Sequence, residues 1–100
     1  MNRQELNVLV RGVAQRFEKE TGMSITARVL DALVIPALPH LETVTRELDE
    51  GKVTVPFLED SVRTVLMNAR TVAVERGEDA IAFYAVRESM KRECPYLFWC

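Results

Sequence analysis

The chain has 100 residues, 48% hydrophobic and 28% charged, with 13 Lys and Arg against 15 Asp and Glu for a net charge of −2. That is the composition of one globular domain, small enough that self-association is an economical way to cover its leftover apolar surface. With no cationic excess, nucleic acid ranks low as a partner, and no run approaches the roughly 20 apolar residues of a membrane span.

Four helical segments follow in chain order. The first is expected from about Asn2 to Glu20. Asn2 with Glu5 three residues later fits a capping box, and Leu6, Leu9, Val10, Val13 and Phe17 recur at three- and four-residue spacing on one face. Gly22 supplies the left-handed residue that ends a helix.

The second segment starts at Ser24, read as a cap, and is apolar nearly all round from Val29 to Leu38, the mark of burial. Pro36 and Pro39 lack amide hydrogens and crowd the preceding turn, so a kink is expected between them. Beyond it a second piece runs to Gly51, with Leu41, Val44 and Leu48 facing inward. Lys52–Val55 is a short extended connection with the composition of a weak strand.

Thr54 and Pro56 make a helix start for a third segment, Pro56 to Arg76. It carries the clearest stripe in the chain: Leu58, Val62, Val65, Leu66, Ala69, Val72 and Ala73. Asp79 is read as the cap of a fourth helix over about Ala80 to Glu93. There Phe83, Val86, Met90 and Cys94 form the inward stripe, and Pro95 ends the helix. With no repeat or low-complexity linker, the expectation is a single all-α domain of four to five helices spanning residues 1–100.

Little in this inventory carries chemistry. His40, Cys94 and Cys100 do not make up the four ligands of a structural zinc site. No nucleophile elbow or phosphate-cradling glycine loop is present. The acidic pairs Glu59-Asp60, Asp49-Glu50 and Glu78-Asp79 read as capping and solvation. The sequence therefore points to a non-enzymatic protein with no catalytic residues, no cofactor and no metal. With no secretory leader legible at Met1, a cytoplasmic location is expected.

A binding surface has better support. Opposite the core stripe of the third helix stand Arg63, Met67, Arg70 and Val74 at spacings of four, three and four. Solvation alone does not require a methionine and a valine there, and Met and Arg are adaptable contact residues. The competing reading is that a neighbouring helix covers Met67 and Val74, with the arginine stems lying along apolar surface.

The tail, residues 95–100, holds Tyr96, Phe98 and Trp99, and its flanking cysteines Cys94 and Cys100 are read as free thiols before a disulfide ring. Those aromatics either fold over their own bundle or anchor on another chain, and a homodimer combines the two. The leading expectation is a small protein-binding module, of the adaptor, chaperone or inhibitor kind, acting on another protein through the helical face and the tail. The alternative is a nucleic-acid-associated regulator using the arginines of the last two helices.

Overall fold

The chain opens with α1, Arg3–Thr21, because Asn2 closes a capping box. The Asn2 side chain accepts the Glu5 amide at 2.8 Å, and the Glu5 carboxylate accepts the Asn2 amide at 3.4 Å. Two orphan donors of the first turn are thereby satisfied. Gly22, at φ 70°, ends the helix by donating its amide to the Glu18 carbonyl. The computed structural model describes residues 1–93. The expectations placed on Cys94, Tyr96, Phe98, Trp99 and Cys100 lie outside them.

After Gly22 the chain departs from the expected helix cap. Ser24–Ile25 forms a short strand, β1, which pairs in parallel with β2, Ala80–Ile81. The register sets Ser24 against Ala80 and Ile25 against Ile81, and the Thr26 amide extends the ladder by donating to the Ile81 carbonyl at 3.0 Å. Two expectations are corrected by this junction. Ser24 is a strand residue, so the next helix starts only at Val29. Asp79 caps nothing, because Ala80 and Ile81 are extended and the last helix begins at Phe83 behind Ala82. Neither residue has its side chain in a cap because the backbone on each side is already paired with the other strand.

The second segment breaks where the prolines stand. Helix α2, Val29–Val34, passes into a 3-10 stretch, Ile35–His40, and then into α3, Leu41–Asp49. A proline removes the donor for the i−4 carbonyl, and the tighter i−3 pattern accommodates the two missing amides. Val44 is buried and Leu41 and Leu48 are half-buried on α3, as the stripe implies. Residues 52–53 bend instead of pairing: the Lys52 and Val53 amides both return to the Glu47 carbonyl. Thr54 alone is extended, and its hydroxyl accepts the Phe57 amide at 3.2 Å to open α4, Val55–Glu75.

Helix α4 is the axis of the fold, packed against α1 on one side and α5, Phe83–Arg92, on the other. All seven residues of its predicted stripe are buried. All but Ala73 meet Leu6, Val10, Val13 and Phe17 of α1 and Val86 of α5 in one apolar cluster, which also takes in Val29, Leu33 and Ile81. At the α4–α5 contact Ser89 is buried, and its hydroxyl donates to the Val86 carbonyl at 2.7 Å, so this polar group inside the core is satisfied. The outer edges of the sandwich are closed by ion pairs. Arg16 of α1 pairs with Glu59, and Arg92 of α5 pairs with Glu75 at 3.0 Å. Hydrogen bonding to Glu75, followed by its charge, pushes the Arg92 guanidinium above its ordinary value. The result is an all-α domain with one small parallel β junction. None of its described helices is long and apolar enough to cross a membrane.

Candidate functional site

The expected binding stripe of α4 is divided among different roles. Arg63 is exposed and donates to the Glu20 carboxylate of α1 at 2.8 Å, so its charge is already answered within the chain. Met67 is half-buried and packs on the central cluster. Arg70 is half-buried too, with its Nε enclosed and making no hydrogen bond among the described residues. Val74 stands in solvent at 59% exposure. A neighbouring helix thus accounts for Met67 in part and leaves Val74 uncovered by any described residue. Tyr96, Phe98 and Trp99, the other half of the expected surface, fall outside the described residues.

A different feature brings apolar and charged groups together. Between α2 with its 3-10 extension and α5 lies a groove of about 400 Å³, a volume in the range of ligand and peptide sites. Ala32, Ile35 and Pro36 form one wall and Phe83 and Met90 the other. Ile35 is 56% exposed, a large β-branched side chain held in water in a chain that buries its neighbours Leu33, Val34 and Ala37. The cause is the 3-10 turn. It begins at Ile35 itself, and its tighter winding changes the angle between successive side chains from that of α2.

The rim of the groove is cationic. Arg87 and Lys91 line it, and Asp31 is the one carboxylate among the lining side chains. The Phe83 ring is covered by two guanidinium groups, Arg28 at 4.9 Å from its centroid and Arg87 at 5.8 Å. At the next residue of α5, Arg76 lies over the Tyr84 ring at 4.9 Å. Arg28, Arg76, Arg87 and Lys91 form no ion pair with a carboxylate of the described residues. Stacking on an aromatic face holds an arginine in place while leaving its N–H donors directed outward.

Tyr84 shares this surface. Hydrogen bonding toward the Glu78 carboxylate, and then burial, push its phenol above the ordinary value, with Arg76 opposing them. The two groups do not reach full hydrogen-bond geometry, since the Tyr84 hydroxyl oxygen is enclosed without a formed bond.

A second apolar groove, about 540 Å³, runs between the N-terminal half of α1 and the start of α4, where Val8 and Val55 are exposed and Leu9 forms part of the wall. Among the described residues no three His, Cys, Asp or Glu side chains converge in a metal-holding arrangement.

Comparison with known proteins gives no matching family model, no similar curated protein and no similar solved structure. What the chain does has to be argued from its own surface.

By spacing, Phe83 and Met90 belong to the inward stripe of the last helix. Both are half-buried, on the boundary between core and groove. Ile35 lies in the Val29–Leu38 run, whose nearly all-round apolar character implies burial, yet it is exposed. The signal available for Ile35 was its position beside Pro36, because an apolar run that must change helix type does not keep every member on one face.

Proposed function

We propose that this protein is a small non-enzymatic protein-binding module, and that its main docking surface is the groove between α2 and α5. The observation that carries this reading is Ile35, a solvent-exposed apolar side chain on the wall of a groove walled opposite by Phe83 and Met90. Burying such a side chain contributes about 1.5–3 kcal/mol, so leaving it uncovered has a cost that a partner removes. The 3-10 turn places Ile35 outside, and no described residue covers it there. Apolar anchors in a pocket with a charged rim are the usual anatomy of a protein–protein contact. The α4 residues Arg63, Met67, Arg70 and Val74, with Tyr96, Phe98 and Trp99 of the tail, are proposed as a second contact region, in which Val74 is the exposed apolar member.

Self-association is the second use we propose for this surface chemistry. Val8 and Val55 offer an apolar face separate from the groove, and a homodimer through it leaves the groove open to a different protein. An adaptor, a chaperone or an inhibitor of a larger assembly working inside the cell fits this arrangement. The nucleic-acid reading keeps one specific observation in its favour, the gathering of Arg76, Arg87 and Lys91 with Arg28 around two aromatic rings. Against it, Arg63 and Arg92 are engaged by Glu20 and Glu75, so the arginines of the last two helices do not act as one patch.

The test is a comparison of affinity captures from native cell extract with the wild-type chain and with Ile35→Asp. Because Ile35 is exposed, the variant should keep its helical circular dichroism and its melting temperature. At least one protein captured by the wild type should be lost from the variant. Identical captures by two folded proteins would remove the groove from the reading.

A further inference from the structure

The charge around the groove specifies more than an apolar anchor. Arg87 and Lys91 line it and Arg28 is held over Phe83 beside it, against Asp31 as the lining carboxylate. This basic rim belongs to a chain whose net charge is −2, so it is a local feature and does not reflect the composition. The guanidinium groups of Arg28 and Arg87 are positioned by the Phe83 ring and not by carboxylates, which leaves their donor edges to an anion arriving from outside.

We propose that the occupant of the groove is an acidic amphipathic helix of a partner protein. Its apolar residues, at three- and four-residue spacing, lie on Ala32, Ile35 and Met90, and its Asp or Glu side chains meet Arg28, Arg87 and Lys91. Charge complementarity chooses this partner over a second copy of the chain, whose own α5 would bring the same cations to the contact. It also chooses a peptide over a nucleic acid. The Phe83 face is already occupied by guanidinium groups and is not offered to a base, and a sugar-phosphate strand on the rim would leave the apolar walls at Ala32, Ile35 and Pro36 uncovered. This partner class rests on the docking surface proposed above and adds to it the sign of the partner's charge.

The probes are fluorescein-labelled helical peptides of about 16 residues, long enough to lay two or more apolar contacts along the groove. One carries Leu at helical spacing on a Glu background, the second replaces every Glu by Lys, and the third replaces every Leu by Ser. A labelled single-stranded oligonucleotide completes the set. Anisotropy is read on the full chain between about 50 and 200 mM salt, a range over which exposed charge pairing weakens as the Debye length shortens.

The Leu/Glu peptide should bind saturably, and the Lys and Ser versions at least about tenfold more weakly. Arg87→Glu with Lys91→Glu should reverse the order of the Glu and Lys peptides. Arg87→Gln, a milder change, should weaken the Glu peptide alone. Equal binding of the Glu and Lys peptides, tighter binding of the oligonucleotide, or loss of binding through Val8→Asp instead of Ile35→Asp would each overturn the proposal. So would deletion of residues 95–100 being required before any peptide binds, because the chain's own tail would then be the occupant. Should no acidic peptide bind while Ile35→Asp still loses a protein in the extract capture, the charge assignment fails and the groove stands. Failure of both removes the groove itself.

Discussion

Replacing Leu66 by alanine should cost about 2–5 kcal/mol of folding stability. Leu66 is fully buried on α4 and belongs to the cluster shared with α1 and α5. Truncating it removes apolar atoms from a site that neighbours on two sides hold rigid, so the space left collapses only in part. In a domain of this size each kcal/mol lowers the melting temperature by about 4–8 °C, and the loss should be plain in thermal unfolding followed by circular dichroism. Val74→Ala, on the same helix but exposed, should change stability by about 0.5 kcal/mol or less. Similar losses from the two variants would contradict the burial of Leu66 and the exposure of Val74 on α4. A neutral Val74→Ala also leaves that side chain available as a contact residue.

The second large effect is expected at the β junction. Ile81→Ala should cost about 2–5 kcal/mol, because Ile81 is fully buried where β2 meets β1 and the core. Packing alone would explain that loss, so a backbone probe is needed beside it. Thr26→Pro deletes the amide that donates to the Ile81 carbonyl at 3.0 Å while keeping the residue before it in the extended geometry it already has. Leaving that carbonyl without its donor should cost about 1–3 kcal/mol. Thr26→Ala, which keeps the amide, should be nearly neutral. If proline and alanine prove equivalent at this exposed position, the parallel pairing does not hold the two connections together.

Where apolar residues recur along one face of a helix, spacing alone was enough to place them. The seven α4 stripe residues from Leu58 to Ala73 are buried, the Asn2–Glu5 box and Thr54 cap helix starts with their side chains, and Gly22 ends α1 through its left-handed backbone. What spacing did not show is the contact between Ser24–Ile25 and Ala80–Ile81. Two-residue strands have no periodicity of their own, and their pairing depends on residues distant in the chain. Ser24 and Asp79 have the composition of helix caps, and long-range backbone pairing overrides it.

The candidate site was less legible for a related reason. Its walls come from α2 with its 3-10 extension and from α5, and only the tertiary fold brings Ile35 opposite Phe83. Arg28 gave no sequence signal, because its partner ring lies on another helix. On α4 the four stripe residues have different surroundings: Arg63 is bound to Glu20, Met67 leans on the core and Val74 is left outside.

The central claim is that the surface around Ile35 is covered by another protein. A photoreactive phenylalanine analogue in place of Ile35, with a second chain carrying it in place of Val8, tests that most directly when both are irradiated in native cells. Position 35 should give a covalent adduct to a different protein, seen as a discrete band heavier than the chain and identified by mass spectrometry. Adducts from position 8 alone, or none but the chain joined to itself from position 35, would contradict the claim.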